Sequence, residues 1–379
     1  MAVAEFYFAF FAALAVTFIV ALIIVATRSM HGHLTLDGTV GIQKIHDRPT
    51  PRVGGVALVF GGLAGGALLP AAAQHLFLLI CLPILPAFVA GLVEDITKTV
   101  NARNRLIATI LSGLLFSLVS GYVILPLGIP GADFLLGYWL FALLFTAFAV
   151  GGVANALNII DGFNGLAGGT AIICMICYGC LAWQVGDMAL VGVASVSVGL
   201  LIGFTLVNFP FGRLFLGDSG AYSVGFLLAV MGVTLPARNP EIAPLIGLLV
   251  LSYPVIETMV SIWRRTHREG AHPGEPDRLH LHSLIHRSWA RHLAWRSDLR
   301  NPTTSVICWT LSILSSVLSV IAEQYEMLIP VFILAMFLVY TYLYRRVALL
   351  GPIIRRGRVV QEEDRGTRRL IATKKPGTV

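Results

Sequence analysis

The sequence predicts an all-α polytopic membrane protein with about eleven transmembrane helices, on three observations. Of its 379 residues, 56% are hydrophobic and 12% are charged, whereas about a quarter of the residues of a soluble domain carry charge. The mean hydropathy is +0.81. Apolar runs long enough to cross a bilayer follow one another along the chain, with mostly short polar connections between them.

Taken in order, the runs cover about 6–26, 53–70, 76–93, 106–125, 134–153, 166–182, 188–207, 220–235, 242–260, 306–321 and 327–343. No basic residue precedes the first, and Arg28 follows it closely. That is the reverse of a signal peptide's charge order, so the run reads as a retained span. In the second, Gly61, Gly62, Gly65 and Gly66 give two overlapping GxxxG spacings, which suit close helix contact within the chain or, alternatively, a homodimer contact. Pro70, Pro83 and Pro86 interrupt the region around the third. Cys174, Cys177 and Cys180 form overlapping CxxC patterns inside the sixth. With no charged neighbour to favour thiolate, they read as packing residues rather than a metal or redox centre.

Placing alternate connections on opposite sides puts 27–52, 94–105, 154–165, 208–219, 263–304 and 344–379 together, and those segments hold every one of the 27 Lys and Arg except Arg238. Positive charge collects in cytosolic loops. The N-terminus is therefore predicted outside, on the periplasmic side, and the C-terminus in the cytosol. Residues 1–343 form one integral membrane domain with cytosolic loops at the first five of those segments, and 344–379 is a basic cytosolic tail. This flank pattern accounts for the formal charge of +7. Membrane lipids are expected to attract the tail, and nucleic acid is not an expected partner.

Five polar clusters fall on that side. In QKIHDRPTPRVGG, Lys44, His46, Asp47, Arg48 and Arg52 precede Gly54 and Gly55 and read as cytosolic charge or an anion-binding lip. In GLVEDITKTVNARNRL, the adjacent acids Glu94 and Asp95 repel one another and point to a cation or a basic contact, with Lys98, Arg103 and Arg105 following. In NALNIIDGFNGLAGG, Asn155, Asn158 and Asp161 recur every third residue at the end of a span, on neighbouring parts of one helix face, before Gly162 breaks the helix. Unpaired polar groups are costly at a membrane boundary. In NFPFGRLFLGDSGAYS, Asp218 stands between Gly217 and Gly220 just before a span, where exposed amides and a carboxylate can hold a metal-bound phosphate. GDSG also surrounds the nucleophile of chymotrypsin-like proteases, but no β-rich context accompanies it here. In HPGEPDRLHLHSLIHR, an extended DRLHLHS would turn Arg278, His280 and His282 to one side. That surface suits phosphate better than zinc, since cysteines are lacking and Arg278 repels a cation.

Together these segments resemble the polyprenyl-phosphate N-acetylhexosamine-1-phosphate transferases, the MraY and WecA group of integral membrane enzymes. Glu94, Asp95 and Lys98 resemble a DDxxK pattern, NALNIIDGFNGL an NxxNxxDGxDGL pattern, FLGDSG a GD[ST]G segment and HLHS a histidine-rich loop. The resemblance spans roughly 44–290. It implies an eleven-helix fold in the bacterial inner membrane with the active site on the cytosolic face. The implied reaction moves a sugar 1-phosphate from a UDP-N-acetylhexosamine to undecaprenyl phosphate and releases UMP. Three departures, Glu94 for the first Asp, Asn164 for a second Asp and Ser283 for a His, point to the WecA and WbpL-like branch, serving O-antigen or another envelope glycan.

The resemblance further implies Asp95, Glu94, Asp161 and Asp218 as catalytic residues, with Asp218 and Asp161 on Mg²⁺, for which Mn²⁺ could substitute. Lys98, Arg278, His280 and His282 are expected to neutralise pyrophosphate charge, and Lys44 to contact substrate. Asn155 and Asn158 are expected to orient the nucleotide or Asp161, and Asn164 to take part in nucleotide recognition through an amide rather than an anion. The acceptor phosphate is mostly dianionic at neutral pH, with a second pKa of about 6. Direct in-line attack is therefore expected rather than a covalent aspartyl intermediate, with Asp95 positioning the acceptor or removing a residual proton. A secondary transporter is the rival class; it usually keeps ionisable residues near the bilayer midplane, whereas these spans are nearly free of charge, with Glu257 near the end of one.

Overall fold

The structure, a computed structural model, describes residues 2–37, 49–267 and 279–349. Long helices dominate it: α1 (Ala2–Ala26), the short α2 (Arg28–Thr35), α3 (Gly54–Ala67), α4 (Ala71–Cys81), α5 (Leu85–Thr97), α6 (Ala102–Ser120) and the short α7 (Pro130–Leu136). There follow α8 (Trp139–Ile160), α9 (Leu166–Gln184), α10 (Met188–Asn208), α11 (Gly217–Arg238), α12 (Ile246–Val250), α13 (Ser252–Thr266), α14 (Leu281–Arg287), α15 (Trp289–Leu293) and α16 (Arg300–Glu323). A last helical span, α17, occupies Glu326–Leu349. Two short antiparallel strands, β1 (Leu36–Asp37) and β2 (Thr50–Pro51), pair Leu36 with Pro51 and Asp37 with Thr50.

Each of the eleven apolar runs contains a helix, and among the described residues nine helices are long and apolar enough to cross a membrane. The other two runs differ for identifiable reasons. Helix α3 has 14 residues, because its glycines serve close packing rather than length. A Cβ on Gly61 would meet Thr17 and the Ala13 carbonyl of α1, and one on Gly65 would meet Ala13 and the Ala9 carbonyl. Gly66 meets Phe77 instead, so both GxxxG spacings are used inside the chain. The run at 242–260 breaks at Leu251 between α12 and α13. Pro254 lacks the N–H that would bond the Val250 carbonyl. Ser315 Oγ, at 3.1 Å, and Cys174 Sγ, at 3.6 Å, bond that carbonyl instead. Cys174 thus works as a packing and donor residue.

Helix α11 lies at the centre, buried from Gly217 to Pro236. Backbone-close contacts fix it there: a Cβ on Gly91 of α5 would stand 2.5 Å from Ser219 N, and one on Gly225 would stand 2.7 Å from Ala154 Cα of α8. The C-terminal ends of α5 and α8 and the N-terminal ends of α3, α6 and α11 meet at one end of the bundle. The opposite end holds Arg238, whose Nε and Nη2 grip the Asp187 carboxylate at 2.7 and 3.1 Å while Nη1 reaches Tyr122 Oη. Burial raises the Asp187 pKa, but these bonds and the Leu190 N–H outweigh it and hold the carboxyl below its ordinary value.

Candidate active site

The first N–H groups of a helix have no partner within it, and at α11 a carboxylate from another helix supplies one. Asp95, fully buried on α5, accepts from Asp218 N at 2.8 Å, Ser219 N at 2.9 Å and Ser219 Oγ at 2.6 Å. A negative charge at this end also suits the helix dipole. The preceding Gly217 takes φ +74°, and a Cβ there would strike Asp95 Oδ2 and the Arg52 carbonyl. Asp95 is thereby enclosed as the anchor of the α11 N-terminus. The sequence expectation sets it at the acceptor; in the structure its oxygens are held by the α11 N-terminus and lie beside Arg52.

Asp218, one residue into α11, is 3% exposed. Its carboxylate accepts from Arg52 Nη2 at 2.5 Å, from Arg105 Nη1 and from Asn158 Nδ2 at 3.1 Å. Arg52 also places Nε 3.3 Å from Asp95. The backbone explains its position: Phe215 N donates to Pro51 O, while Gly54 N and Gly55 N donate to Phe215 O and Leu216 O. This ladder lays 51–55 along the turn before α11, and both glycines are needed because a Cβ on Gly55 would stand 2.5 Å from Gly220 N.

Glu94 and Asp95 point to different partners. Neighbours on a helix point about 100° apart, so Glu94 turns away and accepts from Val100 N at 2.8 Å, closing the turn after α5. Arg105 comes within 4.0 Å of it. Lys98 forms the end of that turn at φ +56° and donates to Leu36 O at 3.2 Å, tying β1 to α5. Lys44 and Arg278 lie outside the described residues, as do His46, Asp47 and Arg48.

The expected line of Asn155, Asn158 and Asp161 diverges. Three-residue steps rotate the position by about 60° each on a helix. Asn155 faces the α6 seam, donating to Thr109 Oγ1 and Gly151 O at 2.8 Å each. Asn158 faces Asp218, and Tyr222 Oη donates to its Oδ1 at 3.5 Å. Helix α8 ends at Ile160 and Asp161 follows as its C-cap. The helix thus stops just before Gly162, as the sequence suggested, and Gly165 caps the start of α9. Gly165 has φ +76° and its N–H bonds Asn208 Oδ1 at 2.6 Å.

Asp161 keeps some exposure at the cleft, and among the described residues no donor bonds its carboxylate. Burial in the surrounding protein holds its pKa up at about 7; Arg52 pulls it down, while Asp218 and Asp95 push it up. This is a carboxylate short of positive charge. Among the described residues no three His, Cys, Asp or Glu converge as a ready-made cage. Mg²⁺ is typically held by one or two carboxylates with substrate phosphate oxygens completing its shell. Asp161 with Asp218 fits that donor set.

The histidine segment is not extended. His280 precedes α14 in β conformation and His282 lies within it, yet the rings stack 7° from parallel with centroids 5.2 Å apart. His280 Nδ1 meets Glu257 Oε1 at 3.0 Å and Nε2 meets Arg265 Nη2 at 3.2 Å. His282 packs on Phe163 and lies 3.5 Å from where a Cβ on Gly162 would be. Asn164 Nδ2 donates to Pro210 O at 2.9 Å, and its N–H bonds Asn301 Oδ1. Beside it opens a cavity of about 1000 Å³, lined by Arg28, Arg213, Arg300, His286, Asn301 and Phe215 among others. Burial, with Arg300 and Arg287 nearby, lowers the His286 pKa.

Sequence reasoning undervalued Arg52, Arg105, Tyr222 and Glu257. For Arg52 the available signal was its place before a Gly-Gly pair at a helix start. For Glu257 it was an acid inside an otherwise uncharged apolar run.

The glycosyl transferase family 4 profile matches residues 77–236, which includes Asp95, Arg105, Asp161 and Asp218. The chain is 27% identical over 326 residues to an undecaprenyl-phosphate alpha-N-acetylglucosaminyl 1-phosphate transferase of Yersinia pestis, covering 83% of this chain and 85% of that one. It is 23% identical over 302 residues to a probable undecaprenyl-phosphate N-acetylglucosaminyl 1-phosphate transferase of Bacillus subtilis, covering 79% and 80% of the two chains. A phospho-N-acetylmuramoyl-pentapeptide-transferase of Streptococcus thermophilus is 31% identical over 194 residues, 48% of this chain and 55% of that one. With the motifs gathered at one end of a helical membrane bundle, the chain is similar to glycosyl transferase family 4 over residues 77–236 and, over most of its length, to undecaprenyl-phosphate N-acetylglucosaminyl 1-phosphate transferases.

Proposed function

We propose that this protein transfers an N-acetylhexosamine 1-phosphate from UDP-GlcNAc, or a related UDP-N-acetylated sugar, to undecaprenyl phosphate. UMP leaves, and the product starts a lipid-linked O-antigen or other envelope glycan. The observation that carries the reading is the meeting of Asp218, Asp161 and Asn158 with Arg52 and Arg105 at one end of the bundle. Two anionic reactants need such a site, because their mutual repulsion must be screened before they approach.

An acceptor phosphate oxygen attacks the β-phosphorus in line; the new O–P bond forms as the bond from that phosphorus to the UMP oxygen breaks. The dianionic acceptor brings no proton that must be removed, which agrees with an Asp95 locked into the α11 N-terminus. Arg52 and Arg105 bind phosphate oxygens and stabilise the charge that spreads over them. Asp161 and Asp218 would hold Mg²⁺, which supplies further charge neutralisation at the phosphates. The cavity beside Asn164 has the volume for a nucleotide sugar, with Arg213 and Arg300 offering charge to its phosphates. By the charge asymmetry of the loops, this end of the bundle faces the cytosol of a bacterial inner membrane.

The test is UMP release by purified protein given undecaprenyl phosphate, Mg²⁺ and a panel of UDP-N-acetylhexosamines. Release with at least one donor, lost on chelation with EDTA and lost in a folded Asp218→Asn variant, is the expected result. Silence with every donor would overturn the reading.

A further inference from the structure

Glu257 is fully buried on α13, where an isolated carboxylate is costly. It is not isolated. Oε1 accepts from His280 Nδ1 at 3.0 Å, Oε2 accepts from Tyr340 Oη of α17 at 2.9 Å, and the Leu281 N–H lies 3.3 and 3.2 Å from the two oxygens. One side chain thus ties the start of α14 to two membrane helices.

The partners of His280 fix its tautomer. Arg265 Nη2 stands 3.2 Å from Nε2, and a guanidinium can only donate. Nε2 must therefore accept, and the ring proton sits on Nδ1, aimed at Glu257. Both nitrogens of His280 are committed and the residue is 4% exposed, so it does not reach a substrate phosphate. What it does reach is His282, whose ring lies parallel to its own at 5.2 Å. His282 in turn sits over Gly162 and against Phe163, in the turn that follows Asp161.

We propose that Glu257 and Tyr340 are positioning residues of the transfer reaction: they clamp His280 as its Nδ1–H tautomer, and the clamped ring seats His282 against the Asp161–Phe163 turn. The roles of the histidine pair are then unequal, with His282 facing the reactants and His280 serving as its rigid backing. The inference rests on the transferase reading for its kinetic consequences but not for its tautomer.

The test compares wild type with Glu257→Gln, Tyr340→Phe, His280→Asn and His280→Ala in the full chain. Three readouts are taken: kcat for UMP release, affinity for UMP and the nitrogen-15 spectrum of labelled histidine. Glu257→Gln should lower kcat about 100-fold, the scale of a 1 Å misplacement of a reacting group, while UMP affinity stays within about threefold, and the His280 Nδ1 resonance should shift as a neutral amide oxygen replaces the carboxylate as its acceptor. Tyr340→Phe should lower kcat several-fold. His280→Asn, whose amide can still donate to Glu257, should keep at least about tenfold more activity than His280→Ala. The proposal falls if Glu257→Gln keeps kcat within about threefold, if it loses turnover and UMP affinity in parallel, or if the Asn and Ala variants are equal. Should Glu257→Gln fail to fold, an unchanged kcat in Tyr340→Phe overturns it. If wild type releases no UMP from any donor, the transferase reading fails by itself, and the histidine spectrum, which needs no substrate, decides the clamp.

Discussion

Gly91 gives the sharpest test of how the site is held. It lies on α5 one turn before Asp95, and a Cβ added there would stand 2.5 Å from Ser219 N, 2.6 Å from Ser219 Cα and 2.7 Å from the Asp218 carbonyl carbon. These are backbone atoms and cannot rotate away. Ordinary contact begins at 3.4 Å, so α5 and the start of α11 must part by about 0.9 Å in Gly91→Ala. Overpacking of this kind costs about 1–3 kcal/mol of stability. The displaced segment carries Asp218 and the amides bonded to Asp95, so turnover should drop about 100-fold. Gly152→Ala on α8 is the control, because nothing lies within 4 Å of a Cβ there; it should keep full turnover and gain about 0.5–1 kcal/mol from helix propensity. UMP release and thermal unfolding of the two purified variants provide the comparison. Turnover of Gly91→Ala within about threefold of wild type would refute the view that this contact sets the position of Asp218.

Asp161, held up at about 7 against an ordinary 3.8, is a carboxyl whose charged form disfavours the folded state. With divalent cations chelated, thermal stability should therefore fall as pH rises from about 4 through 7 and then level off; Asp161→Asn should flatten that slope in an unfolding series. Asn164→Asp, although it restores the acid that the family pattern carries, sets a carboxylate oxygen where an amide now donates to Pro210 O. It should lower thermal stability by about 1–3 kcal/mol and weaken UDP-sugar affinity, measured by titration. Arg52→Lys should lower turnover at least about tenfold, because a single ammonium cannot reproduce both the directed bond of Arg52 to Asp218 and its ion pair with Asp95; kinetics of UMP release would show it.

Hydrophobic periodicity and charge placement were enough to read the fold class, since a bilayer leaves a chain little choice but helices. The helix ends were less legible. Gly162 does follow the end of α8, but the start of α9 is set by Gly165 at positive φ, whose N–H bonds Asn208 Oδ1 from 43 residues away. The polar residues of the site were legible as a group and not as individuals. Glu94 and Asp95 are adjacent in sequence, so their shared charge suggests a shared task. Their directions on the helix give one to the Val100 turn and the other to α11, and only the packing of α5 on α11 decides which is which. Asn155 was drawn to the site by its spacing, whereas Thr109 on α6, remote in sequence, takes its amide. Glu257 was visible as an oddity, but its partners His280 and Tyr340 are 23 and 83 residues away.

The same dependence on surroundings divides the work among the three aspartates. Asp95 has each oxygen committed, to the Asp218 and Ser219 amides, the Ser219 hydroxyl and Arg52. Moving it would release the α11 N-terminus, so it acts as a fixed part of the frame. Among the described residues Asp218 accepts only from side chains, Arg52, Arg105 and Asn158. Those donors can be exchanged without unwinding a helix, and two of them are the cations that an incoming phosphate seeks. Asp161 has no such donors among the described residues and remains short of positive charge. Identical side chains thus differ in what they can give up. The ordering that results, Asp95 least and Asp161 most able to take a new partner, follows from environment rather than residue type. In the proposed reaction a reactant or cation entering this cleft would meet Asp161 first and reach Asp218 by taking over the places of its arginines, while Asp95 holds the α11 N-terminus in place.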